Sequence, residues 1–199
     1  GILLVDKPPG WTSHDVVNFI RRTFKIKKAG HCGTLDPRAA GLLVILIGQA
    51  TKMSQELTVS DKTYEASIIF GIETDSQDMD GKIISEKGCA GLSETRIREV
   101  FSKYIGEMDQ IPPMFSALTI SGKTLYEFAR QGIEIERDPT KITIHSLTVD
   151  KIYLPYADFT LKCSKGTYVR TLCRDIGKEL ACGAALHKLC RTESGNFKI

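Results

Sequence analysis

Ile142-Thr143-Ile144-His145-Ser146-Leu147-Thr148-Val149-Asp150-Lys151-Ile152-Tyr153 and, after five intervening residues, Phe159-Thr160-Leu161-Lys162-Cys163-Ser164 are rich in β-branched and aromatic residues and read as two long paired strands. The second strand runs across Gly166 into Thr167 to Ala181, which reads as a helix. Working outward, Tyr64 to Phe70 is a further strand, followed by an acidic loop from Glu73 to Gly81. Leu42 to Ile47 is an apolar run of strand length, and Ile2 to Val5 is another strand. Helices are expected from an N-cap at Ser13 to about Phe24, over Ala50 to Leu57, from a cap at Ser93 to about Tyr104, and over Leu125 to Gln131 before Gly132. The tail from Ala184 returns as strand-like segments. Strands broken by helices without strict alternation predict an α+β fold. The expected architecture is a mixed, mostly antiparallel central sheet flanked by helices.

The chain has 199 residues, enough for one substantial core, and no Pro/Gly/Ser-rich linker or repeat divides it. One domain over 1–199 is therefore expected. The net charge is only +3, so a nucleic-acid partner needs a local basic face. Six cysteines, at 32, 89, 163, 173, 182 and 190, form no C-x-x-C and match no zinc spacing. They read as reduced, mostly packed thiols of a cytoplasmic protein. No segment resembles a signal peptide or a membrane span, so no membrane partner is expected.

The most informative loop is Gly30-His31-Cys32-Gly33-Thr34-Leu35-Asp36-Pro37. Between Arg21 and Arg38 stand Arg21, Arg22, Lys25, Lys27, Lys28 and Arg38, together with His31, and Asp36 is the one acid. Pro37 biases Asp36 toward an extended backbone. Read locally, this is an Asp-Pro turn. A lone carboxylate in a basic loop also suits chemistry or a buried cation. Arg170 is the candidate cation, because a first-turn arginine is badly placed for the helix dipole unless an acid meets it. An arginine snorkelling over the sheet edge is the other reading.

Three motifs fail. Gly122-Lys123-Thr124 resembles the end of a P-loop, but Ala117 stands where its first glycine belongs. Ser76-x-Asp78-x-Asp80-Gly81 resembles a calcium loop, but it opens on serine and its twelfth position is Lys87. The four histidines, His14, His31, His145 and His187, lack H-x-x-x-H spacing. No metal site is expected.

A different set of segments stands together. Leu4-Val5-Asp6-Lys7-Pro8-Pro9-Gly10-Trp11-Thr12-Ser13-His14-Asp15-Val16-Val17 is the first. The Gly30-to-Pro37 run with Ala40-Gly41-Leu42-Leu43 is the second. Lys62-Thr63-Tyr64-Glu65-Ala66, Phe70-Gly71 with Thr74-Asp75-Ser76 and Asp80-Gly81, and Ile111-Pro112-Pro113-Met114-Phe115-Ser116-Ala117 follow. Ser164-Lys165-Gly166-Thr167-Tyr168-Val169-Arg170 and Leu189-Cys190-Arg191-Thr192-Glu193-Ser194-Gly195-Asn196-Phe197 complete the series. In this order, along nearly the whole chain, they resemble the TruB-type tRNA pseudouridine synthases.

The resemblance implies a pseudouridine synthase fold and a cofactor-free isomerisation of uridine 55 in the T loop of tRNA. It makes Asp36 the catalytic aspartate, Tyr64 the aromatic packed on the target base, and Arg170 the cation paired with the aspartate. It places Lys7 near the site, His31 in the space that flipped bases leave, and Leu189 in the uracil pocket. It implies a monomer acting on the tRNA T stem-loop. Thr119 stands where a lysine is common and Cys32 where a threonine is commoner. The family often carries a C-terminal PUA domain; the expectation here is the catalytic domain without it. A non-catalytic RNA-binding module is the rival reading, and a phosphate-binding enzyme built on Gly122-Lys123-Thr124 a weaker third.

Overall fold

The computed structural model of the chain describes residues 1–120 and 122–199. In chain order its elements are β1 (Ile2–Lys7), α1 (Ser13–Thr23), β2 (Ala29–Cys32), β3 (Ala40–Ile47), a 3-10 turn (Gly48–Met53) and α2 (Ser54–Thr58). Next come β4 (Lys62–Phe70), β5 (Ile72–Thr74), β6 (Ile83–Glu86), α3 (Glu94–Ser102), β7 (Gly106–Gln110), β8 (Thr119–Ile120), β9 (Lys123–Thr124) and α4 (Leu125–Arg130). The chain ends with β10 (Thr140–Tyr153), β11 (Tyr156–Cys163), α5 (Val169–Glu179), β12 (Ala184–Ser194) and β13 (Phe197–Lys198).

The central sheet runs β1-β3-β12-β4-β11-β10-β7, with β2 added to β3 and β13 to β12. All of its pairings are antiparallel except β12 with β3, so the expected mixed, mostly antiparallel α+β sheet is what forms. The β12–β3 contact is short: Cys190 faces Ala40, and Arg191 faces Gly41. It brings the tail between the first strands and β4. Gly41 has φ +96°, and a Cβ there would overlap the Arg191 backbone. Only glycine lets these two strands meet.

The apolar run in β3 is continuous because both of its faces are covered. Leu43 and Ile45 join the large core, which also holds Val16, Ile20, Phe101, Phe159, Leu172 and Ile176. Leu42, Val44 and Leu46 join a smaller cluster that takes in Leu57 and Phe197. Burying such a side chain stabilises the fold by roughly 1.5–3 kcal/mol. The six cysteines are free, and four of them are buried. Burial pushes the Cys163 thiol up to about 11. Among the described residues no helix is long and apolar enough to cross a membrane.

Several boundaries differ from expectation. The N-cap of α1 is Thr12, not Ser13: Thr12 and Asp15 close a reciprocal capping box. Ser13 is released to bond elsewhere. The expected helix over Ala50 to Leu57 is a 3-10 turn followed by the short α2. α5 starts at Val169, two residues later than read, because Tyr168 is its cap. The Glu73–Gly81 loop is the turn of the β5–β6 hairpin, whose first strand takes in Glu73 and Thr74. β2 and β7 went unread. β2 is a four-residue strand containing a glycine, and β7 is a polar edge strand, so neither alternates clearly.

Candidate active site

The loop between β2 and β3 carries Asp36, and four anchors hold it. The Ser13 hydroxyl accepts from the Leu35 N–H at 2.9 Å and donates to the Leu35 carbonyl at 3.2 Å. The Pro37 carbonyl accepts from Gly10 N–H at 2.8 Å and from Lys7 Nζ at 3.1 Å. Lys7 also donates to the carbonyls of Trp11 at 2.7 Å and Pro8 at 3.0 Å, and its side chain is wholly buried. Burial lowers the Lys7 pKa, and Asp36 opposes that shift. Lys7 therefore knits the first turn to the Asp36 loop from beneath and does not line the cleft.

Arg170 stands at the second residue of α5 and is 5% exposed. Its Nε lies 2.9 Å from one Asp36 oxygen, and a terminal nitrogen donates to the other at 3.1 Å. This two-point fork is the strong arginine–carboxylate geometry. The remaining guanidinium donors reach the carbonyls of Phe115 at 2.8 Å and Ser76 at 3.2 Å. Asp78 adds a second carboxylate at 3.7 Å. An arginine at a helix N-terminus is thus met by two acids, which answers the unfavourable dipole. Tyr168 offers no side-chain cap, and Gln110 instead clamps the Tyr168 backbone. The Gln110 amide accepts from Tyr168 N–H at 2.8 Å and donates to its carbonyl at 3.1 Å.

Burial pushes the Asp36 carboxyl above the ordinary carboxylate range. The Arg170 guanidinium pulls it down, and Asp78 and Asp80 push it up. The acidic β5–β6 turn therefore serves the site. Its Ser76 and Asp78 meet Arg170, while the Asp78 carboxylate is held by the Ser76 hydroxyl at 2.5 Å and the Asp80 N–H at 3.0 Å.

Asp36 opens on a cavity of about 690 Å³ lined by Gly33, Lys62, Tyr64, Arg170, Leu189 and Arg191 among others. On its other side lies a hollow of about 550 Å³ that includes Asp78, Phe115 and Tyr126. A larger hollow of about 750 Å³, lined by Arg38, Glu65, Asp158 and His187 among others, contains none of Asp36, Tyr64 and Arg170. Tyr64 is 9% exposed, and burial raises its phenol to about 12, so it stays a hydrogen-bond donor at neutral pH. Its direct cross-strand neighbour is Arg191.

Of the residues singled out by sequence, Asp36, Tyr64, Arg170 and Leu189 meet in one cavity. Lys7 lies beneath the loop, and His31 sits on β2 opposite Ile45, half-buried and outside the cavity lining. Burial lowers the His31 pKa, and the Arg191 charge adds to that. Five contributors went unread: Ser13 as loop anchor, Gln110 as the clamp on Tyr168, Asp78 as second acid, and Arg191 and Lys62 as buried cations. Ser13, Lys62 and Arg191 stand inside the quoted motifs, but nothing local in the sequence marks the bonds they make. Gly122-Lys123-Thr124 makes no phosphate loop: Lys123 and Thr124 form β9, and Thr124 caps α4. Among the described residues, no group of three or more His, Cys, Asp or Glu side chains is arranged to hold a metal ion.

Residues 21–169 match the family model for the N-terminal domain of TruB family pseudouridylate synthases. Residues 170–199 match the model for the C-terminal domain of tRNA pseudouridylate synthase B. The boundary falls inside α5, between Val169 and Arg170. The tRNA pseudouridine synthase B of Alkaliphilus oremlandii is 51% identical over 199 residues, which are the whole of this chain and 66% of that protein. The Opitutus terrae protein of the same name is 48% identical over the whole chain and 83% of its own length. Among solved structures, a chain of a Cbf5-Nop10-Gar1 complex superposes with a TM-score of 0.78 at 31% identity, over all of this chain and 50% of its own. A chain of an H/ACA ribonucleoprotein bound to a substrate RNA containing 2′-deoxyuridine gives 0.73 at 28% identity, with 48% of its own length covered. The chain thus spans about two thirds of the first curated relative and half of these structural neighbours.

Proposed function

This chain belongs to the TruB family of pseudouridylate synthases, and on that premise we propose that it isomerises a uridine of tRNA, uridine 55 of the T loop, to pseudouridine. The observation that carries the reading is the fork from buried Arg170 to Asp36 at the mouth of a cavity that also holds Tyr64 and Leu189. Residues 1–199 act as one catalytic unit, since β12 returns between β3 and β4 and brings Leu189 to the same cavity.

The reaction breaks the bond between ribose C1′ and N1, turns the uracil, and joins C1′ to C5. Asp36 acts on the ribose, either adding to C1′ or taking the 2′ hydrogen, and both roles need an ionised carboxylate. Arg170 favours that ionised form against burial. The base must leave its stack, at roughly a few kcal/mol. Stacking on Tyr64 returns roughly 1–3 kcal/mol. Leu189 supplies an apolar contact, Lys7 fixes the loop, and His31 packs into the stem where the flipped base left it. The reaction draws on no cofactor or metal. The enzyme acts as a cytoplasmic monomer, and its RNA partner is the T stem-loop.

Tritium release from tRNA carrying 5-³H-uridine tests this reading. Release by the unaltered protein, abolished by Asp36→Asn with RNA binding retained, is expected. No release, or full release by Asp36→Asn, would leave an RNA-binding module instead.

A further inference from the structure

Two cations lie buried beside Tyr64, and among the described residues neither forms an ion pair with a carboxylate, although Asp61 next to Lys62 partly favours its charge. Arg191 is 1% exposed and Lys62 is 7% exposed. Arg191 donates through Nε to the Leu42 carbonyl at 2.8 Å and through a terminal nitrogen to the Gly33 carbonyl at 3.0 Å. Lys62 donates to the carbonyls of Thr58 at 2.6 Å and Ser60 at 2.5 Å. Among the described residues, the acceptors these two side chains reach are neutral: four backbone carbonyls, with the Tyr64 hydroxyl beside Arg191. Both converge on the loop before Asp36. A Cβ on Gly33 would stand 3.2 Å from an Arg191 terminal nitrogen and 3.8 Å from Lys62 Cε. Both line the Asp36 cavity.

Buried charge without a counter-charge is expensive to fold around. A site retains it where an anion forms during the reaction. A backbone phosphate is a poor candidate for that anion, because phosphates run along the surface and these cations sit under Tyr64 and the Gly33 turn. We propose that Arg191 and Lys62 form a cationic floor that stabilises the uracil as a detached anion, with Arg191 acting through the Tyr64 hydroxyl it faces across the strand pair. They are positioning residues, and their role presupposes the isomerisation proposed above.

The atoms balance. As C1′–N1 breaks, its electron pair departs with uracil, and negative charge spreads over N1, O2 and O4. Asp36 either bonds to C1′ or takes the 2′ proton. An electron pair from C5 then forms the C5–C1′ bond. Asp36 leaves as a carboxylate in the first case and returns the proton to C2′ in the second. The C5 hydrogen departs as a proton and N1 takes one up. On both routes the base carries the charge between the two bonds.

The test compares single-turnover consumption of a T stem-loop RNA carrying uridine or 5-fluorouridine at the target. Fluorine makes the detached base a weaker base, so it needs the floor less. Arg191→Gln is expected to slow the uridine RNA about 10²-fold, the scale of removing one oxyanion donor. It should slow the 5-fluorouridine RNA several-fold less and leave the RNA Kd unchanged. Equal slowing of both RNAs overturns the proposal. Should Arg191→Gln fail to fold in a melting assay, Lys62→Met, which keeps both Arg191 backbone bonds, decides by the same two rates. Asp36→Asn run alongside separates the levels: its full activity would sink the isomerase reading, whereas equal slowing with an inert Asp36→Asn sinks only the cationic floor.

Discussion

The proposed function asks Asp36 to be reactive and ionised at once. Burial pushes its carboxyl up, and the Arg170 fork holds it back. The sign of the pH dependence follows. In the proposed role the ionised form is the active one, so the rate should fall as pH drops through a pKa that lies above the ordinary 3.8. Removing the cation in Arg170→Met leaves burial unopposed, and the acid limb moves to higher pH. Single-turnover rates against pH for the two proteins would show it, and a limb that stays put would take Arg170 out of this role. The same substitution orphans the carbonyls of Ser76 and Phe115. Each orphaned carbonyl costs roughly 1–3 kcal/mol, visible as a lower urea midpoint.

At the scale of elements, α1 separates stability from positioning in two adjacent hydroxyls. Thr12 closes the capping box at the exposed helix start, whereas Ser13 reaches across to both backbone groups of Leu35. Thr12→Ala is expected to lower stability by about 1 kcal/mol and leave turnover near its original rate. Ser13→Ala strips a buried N–H of its acceptor beside Asp36, and the displaced loop should slow turnover roughly tenfold or more. Melting and tritium release on both variants check the contrast; identical profiles would dissolve it. This division was hidden in the sequence, where Ser13 reads as the cap, because Thr12 and Ser13 are chemically alike and only the fold tells them apart. The long strands β10 and β11, the doubly buried β3 and the caps at Ser93 and Gly132 were legible, since each rests on local periodicity or turn chemistry. Gln110 and Arg191 were not. Their partners lie 58 and 149 residues away, and neither carries a local pattern that announces a long-range bond.

Over the whole molecule, a net charge of +3 supplies little general attraction for RNA. The attraction has to be local, and the end of α1 is the place that offers it. Arg21, Arg22, Lys25, Lys27 and Lys28 are all exposed there, beside Phe19 and Phe24, which are 53% and 63% exposed. Arg38 belongs to the same sequence cluster but is tied to Asp80 at 3.2 Å and to the Met79 carbonyl at 2.8 Å, so it contributes less free charge. Cations that track phosphates release counterions on binding, which makes the logarithm of affinity fall linearly with the logarithm of salt. Replacing Arg21, Arg22, Lys25 and Lys27 by Gln should flatten that slope by about 0.7–0.9 for each phosphate left without its cation. The altered and unaltered proteins should then converge in affinity at high salt. Melting should hardly move, because these solvated side chains contribute little to the fold. Titrating a labelled T stem-loop RNA at several salt concentrations measures the slope directly. A slope that survives all four substitutions would put the phosphate track elsewhere, with Lys141 and Lys165 at the rim of the Asp36 cavity next in line.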